Sequence, residues 1–145
     1  MKTKNVEKQL NKAFKEQLSI LPTIEVTDEG GIDASCMLST EIAGVRKSFY
    51  FSITVNEQAT FVYLGLGKIE WSEEVACTLN AYNGSMGFLK AYYNKDEDWL
   101  ILAHNEDCVR DENQLGELLR RVLIDFDSYR ELLAPIWVLL QDEEE

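Results

Sequence analysis

The chain has 145 residues, 46% of them hydrophobic, with 26 acidic against 14 basic side chains and a formal net charge of -12. That length suits one domain with a real core, and the apolar fraction excludes a disordered chain. The charge repels phosphate, which argues against nucleic acid as a partner unless a basic patch outweighs the global field.

Residues 1–15 carry Lys2, Lys4, Lys8, Lys12 and Lys15 against Glu7 alone, a local +4 attached to a body of -16. This polarity either steers a basic partner and favours contacts between copies, or is the solvated face of a lysine-rich helix. Val6, Leu10, Ala13, Phe14 and Leu18 recur at helical spacing and predict a helix over 4–20, stopped by Pro22. A strand over 23–27, the turn Asp28-Glu29-Gly30-Gly31 and the alternating run Ile32, Ala34, Cys36, Leu38 make a first hairpin. Phe49, Phe51, Ile53 and Val55 alternate with Ser48, Tyr50, Ser52 and Thr54. Asn56-Glu57 turns the chain into a strand over 59–66 that is apolar on both faces and therefore central or covered.

Ser72 with Glu73 and Glu74 predicts a helix start, and Trp71, Val75, Leu79 and Tyr82 its buried stripe, with Gly84 at the end. A third hairpin joins 86–93 to 99–104 through the polar turn Asn94-Lys95-Asp96-Glu97-Asp98. Asp111 with Gln114 reads as a capping box, opening a long helix with apolar positions from Leu115 to Leu133 that Pro135 ends or kinks. Ile136 to Leu140 is apolar and docks either on its own domain or on a second copy. The predicted class is α+β: a single domain spanning 1–145 with an acidic tail at 142–145, and an antiparallel sheet of about five to six strands with flanking helices. The element order is α-ββ-ββ-α-ββ-α.

No recognised chemistry fits these residues. Gly65-Leu66-Gly67-Lys68 lacks the earlier glycine and the following Ser/Thr of a phosphate loop, having Val62 and Ile69 there. Asn94, Asp96 and Asp98 have the first spacing of a calcium loop but not its later glycine and glutamate. The only histidine, His104, stands four residues before Cys108 in an acidic stretch that would raise the thiol pKa. The three cysteines form no CxxC pair and point to reduced thiols, with no zinc site and no disulfide framework. We therefore expect no enzyme, cofactor or metal. An amphipathic stretch follows Met1-Lys2-Thr3-Lys4 where a signal peptide would be apolar, and no run is long enough to span a bilayer. The expectation is a cytoplasmic chain that does not engage membranes.

The fifteen aromatic residues say more. If Phe49, Phe51, Ile53 and Val55 face the helices, then Tyr50, Ser52 and Thr54 face away, as does one of Tyr92 and Tyr93. Such a face is either a partner surface or is covered by a terminal helix. With Trp137, these residues are the predicted contact surface for a protein or peptide. The alternative is a small-molecule sensor with a pocket between the sheet and the long helix, lined by Trp71, Tyr82, Trp99 and Phe126.

The stretch from Phe49 to Leu140 resembles the YbjN family, whose members resemble type III secretion chaperones in fold. The matching features are the paired strands ending near Leu64, the acidic helix start before Leu79-Asn80-Ala81-Tyr82-Asn83, and the strand Phe88-Leu89-Lys90-Ala91-Tyr92. The long helix containing Phe126-Asp127-Ser128-Tyr129 completes them. The resemblance implies a non-enzymatic, regulatory or chaperone-like domain, a homodimer able to hold a peptide, with no catalytic residues to transfer.

Overall fold

The computed structural model describes residues 3–107 and 112–141. Cys108, the Asp111 capping start and the acidic tail 142–145 lie outside the described residues. Helix α1 (Thr3–Leu18) buries Val6, Leu10, Ala13 and Phe14 and exposes Lys8, Lys12 and Lys15, the two faces its spacing predicts. It ends ahead of Pro22, at Ser19, which takes a left-handed φ of 56° while its N–H donates to the Lys15 carbonyl.

Six strands follow: β1 (Thr23–Val26), β2 (Ile32–Ile42), β3 (Val45–Val55), β4 (Ala59–Lys68), β5 (Lys90–Asn94) and β6 (Trp99–Asp107). They form one sheet in the order β1-β2-β3-β4-β6-β5, with every neighbouring pair antiparallel. The longest ladder, β2 with β3 from Ile32–Val55 to Ile42–Val45, was not part of the sequence expectation. Its turn is Ala43-Gly44, both at positive φ (52° and 79°), the geometry of a two-residue hairpin without the usual Asn-Gly. As its two apolar faces predict, β4 is central, lying between β3 and β6.

Helix α2 (Glu73–Asn83) links β4 to β5 and is capped as expected, the Val75 N–H donating to Ser72 Oγ at 3.1 Å. Gly84 closes it in a right-handed conformation (φ -81°). Helix α3 (Glu112–Tyr129) packs beside α1, and their apolar faces cover one side of the sheet. Leu10, Phe14, Leu115, Leu119 and Val122 meet Phe51, Ile53, Val62, Leu64 and Leu102 there, all essentially buried. Rings of the two layers touch, Phe14 with Phe51 at 5.8 Å and Phe49 with Phe126 at 5.2 Å between centroids.

The long helix stops before Pro135. A 3-10 turn (Arg130–Leu133) leads into the short helix α4 (Ala134–Trp137), with the proline in its first turn, where its missing N–H costs nothing. The chain then bridges to β4, Lys68 N–H donating to Gln141 O and Gln141 N–H to Lys68 O, both at 2.8 Å. β3 pairs with β4 only as far as Tyr50–Gly65, so this segment takes the next place along β4. The approach is close. A side chain on Gly67 (φ +146°) would place its Cβ 2.8 Å from the Gln141 carbonyl oxygen.

Candidate functional site

The sheet has one face under the helices and one open to solvent. Register brings Met37, Tyr50, Gly65, Ile101 and Tyr92 into a single row across the open face. Met37 is 59% exposed, Tyr92 54%, and Tyr50 and Phe61 39% each. No terminal helix of the described residues hides these side chains.

A groove of about 960 Å³ runs along this face, lined by Tyr50, Ser52, Thr54, Phe61, Tyr63 and Trp99, with Lys68 and Asp96-Glu97-Asp98 at its rim. Its shape depends on Gly65, above which Trp99 and Tyr63 fold over bare backbone. A Cβ there would lie 2.9 Å from Trp99 Nε1 and 3.0 Å from Tyr63 Cε1. Tyr50 meets Tyr63 edge-on at 6.1 Å. In the floor, Thr54 Oγ1 donates to Asp33 Oδ1 at 2.7 Å. At the rim, Asn94 Oδ1 accepts from the Asp96 and Glu97 N–H groups at 3.0 and 3.3 Å and so shapes the hairpin tip.

Tyr50, Ser52 and Thr54 thus line one groove, and Tyr92 shares their face at the edge strand, but Ser52 is only 6% exposed and, contrary to expectation, is largely buried beneath its neighbours. Tyr93 points the other way. Its hydroxyl sits 2.9 Å from Ile69 O and 2.8 Å from Asp98 Oδ1, and its ring packs on Trp71 at 5.0 Å. Desolvation, followed by the hydrogen bond to Asp98, raises the Tyr93 pKa.

Trp137 is not on the surface. It is 1% exposed, and its indole Nε1 donates to Val45 O at 2.8 Å, because α4 folds back into the core. Nor do the four residues of the alternative pocket converge. Tyr82 and Phe126 are packed in the core, Trp71 is half exposed beside Tyr93, and Trp99 lines the open-face groove. Phe61, Tyr63, Lys68 and the hairpin-tip acids were absent from the predicted surface. The alternation of Phe61 and Tyr63 with Val62 and Leu64 held the signal, but only the β3–β4 register places them beside Tyr50.

The Tyr82 hydroxyl has no hydrogen-bond partner among the described residues. Burial first, and the Asp125 charge second, push its pKa well up, so the phenol stays protonated. Tyr82→Phe is accordingly expected to leave stability unchanged or raise it by up to about 1 kcal/mol, measured by thermal melting. A loss above about 1 kcal/mol would mean that the hydroxyl is bonded after all.

The reactive groups lie elsewhere. His104 Nε2 is 3.2 Å from Glu106 Oε1, its ring packs on Phe88 at 4.5 Å, and Arg121 binds the same Glu106 oxygen. Among the described residues, Cys36 and Cys77 are free thiols, and burial pushes the Cys36 pKa up, away from the reactive thiolate. The described residues contain no cluster of acidic, His or Cys side chains able to hold a metal ion, and no helix long and apolar enough to cross a membrane.

The fold is similar to that of a chain in the crystal structure of the ExsC–ExsE complex. The TM-score is 0.55 at 16% identity, over 95% of this chain and 95% of that one. A chain from the Yersinia pestis type III secretion chaperone SycH in complex with a stable fragment of YscM2 matches with a TM-score of 0.46. Its identity is 16%, over 85% of this chain and 96% of that one. A chain from the ExoU–SpcU heterodimer of the Pseudomonas aeruginosa type III secretion system matches with a TM-score of 0.49. Its identity is also 16%, over 90% of this chain and 97% of that one. At these identities the likeness concerns the fold alone, and the ExsC–ExsE match carries it. No protein-family model and no curated protein matches the chain, so the YbjN resemblance rests on the residues quoted for it.

Proposed function

We propose that this chain is a single chaperone-like domain, YbjN-like and akin to type III secretion chaperones, that binds a protein or peptide partner without chemistry of its own. The observation that carries the reading is the open sheet face, where Tyr50, Phe61, Tyr63 and Trp99 line one groove with Met37 and Tyr92 beside it. Exposed aromatic area of this kind is expensive in water and is the usual substance of a partner contact. The ExsC–ExsE structure, itself a complex of two proteins, motivates the reading. The domain acts in the cytoplasm, has a regulatory role and forms a homodimer, which light scattering should report at twice 16.6 kDa.

The test compares the full chain with a Tyr50→Ser/Phe61→Ser variant, each immobilised and exposed to lysate of the native host. Both side chains are partly exposed, so the variant should melt within about 1 kcal/mol of the parent. It should lose at least about tenfold of the specifically retained polypeptide, as contact aromatics do when truncated. Equal retention by the two chains would overturn the assignment of this face.

A further inference from the structure

We propose that the occupant of the groove is an extended peptide segment bearing arginine or lysine. This rests on the reading that the open face is the docking surface, and it adds the chemistry of the partner.

The lining combines two features that favour a cation. One is the set of aromatic rings, Tyr50, Phe61, Tyr63 and Trp99, whose faces attract a guanidinium or ammonium. The other is the rim, three successive carboxylates (Asp96, Glu97, Asp98) against one ammonium, Lys68. Asp98 is engaged by the Tyr93 hydroxyl, whereas Asp96 and Glu97 form no ion pair among the described residues. Their backbone is held by Asn94, so the two carboxylates are presented from a formed turn. An anionic partner such as nucleic acid or a phosphopeptide would meet this row with like charge. A purely apolar segment would desolvate it without compensation.

The hollow continues beyond the rim. Lys68 and Asp98 also line a second depression of about 490 Å³ with Ile69, Glu70, Ser72, Gln141 and the half-exposed Leu139. Two depressions sharing a wall suit a chain that lays one basic side chain on the aromatic floor and an apolar one beyond it. At a net charge of -12 the domain draws such a segment in from a distance, more strongly at low salt.

The experiment follows fluorescence anisotropy of a labelled hexapeptide of alternating arginine and leucine, titrated with the full chain. Its citrulline counterpart keeps the shape without the charge. The arginine peptide should bind about tenfold more tightly than the citrulline peptide, as one cation–π contact and one or two rim ion pairs allow. Asp96→Asn/Glu97→Gln should remove most of that difference, while Glu7→Gln/Glu16→Gln, the same charge change on α1, should leave it within about twofold. Equal loss in both variants would reduce the effect to bulk charge and overturn the proposal. Equal affinity for both peptides, weakened alike by Tyr50→Ser/Phe61→Ser, would overturn it while leaving the docking face intact. No binding of the arginine peptide would also overturn it, and self-association lost with Asp96→Asn/Glu97→Gln would then assign the groove to a second copy.

Discussion

Trp137→Ala should cost about 3–5 kcal/mol of folding stability, a large part of what a domain of this size has. The indole is among the largest side chains that are fully buried, and it closes the seam where α4 meets the β2–β3 hairpin. Alanine removes the ring and leaves a cavity, and it also removes the hydrogen bond from Nε1 to the Val45 carbonyl at 2.8 Å. The C-terminal bridge to Lys68 and the bond from Lys47 Nζ to Leu140 O, at 2.7 Å, depend on the same packing. Urea unfolding should show a lower midpoint with an unchanged slope. Trp137→Phe separates the terms, keeping most of the volume and losing the hydrogen bond, for about 1–2 kcal/mol. A cost below about 1 kcal/mol for the alanine variant would show that Trp137 does not anchor the C-terminal segment.

Asp125→Ala is the second large effect, with an expected loss of about 2–4 kcal/mol, because a buried acceptor serves two donors at once. Asp125 on α3 is 8% exposed and accepts from the Phe88 and Leu89 backbone N–H groups at 3.0 and 3.2 Å. It holds the start of β5 to α3 across a loop in which Gly87 leaves no room. A Cβ on Gly87 would lie 2.7 Å from Asp125 Oδ1 and 2.8 Å from Tyr129 Cδ2. Alanine at position 125 leaves both amides without an acceptor, and hydrogen exchange at Phe88 and Leu89 should accelerate well before global unfolding. Asp125→Asn keeps one acceptor and should fall between parent and alanine. If exchange at those two amides were unchanged in Asp125→Ala, the carboxylate would not be what holds the loop.

Both sites bear on function through geometry. The loop that Asp125 secures leads into the β5–β6 hairpin, whose tip supplies the acidic rim of the groove. The segment that Trp137 anchors ends at Lys68 and Gln141, beside the second depression. Loss of either anchor should therefore weaken partner binding more than its distance from the groove suggests, through displacement of the rim.

What the sequence determined by itself was local. The stripe Val6, Leu10, Phe14 produces one helix face, the alternation from Ser48 to Val55 produces one strand, and Ser72 starts α2, since each signal lies within a turn or two of chain. Those periods were enough for the α+β class, the antiparallel hairpins and the order of elements. They also place Tyr50, Ser52 and Thr54 on the face opposite Phe51 and Ile53. What only the tertiary structure decided was long-range. The extended β2–β3 ladder turns on Ala43-Gly44 between Ile42 and Val45, a weak turn signal because it lacks the usual Asn-Gly. Whether Tyr92 or Tyr93 faced outward depended on the pairing of Ala91 with Leu102, and Phe61 and Tyr63 joined Tyr50 only through register. Trp137, an apolar residue near the C-terminus, was as suited to a partner as to the core, and the sheet's own seam took it. Periodicity states which residues share a face. Which face is buried, and by what, is settled by contacts between residues far apart in the chain.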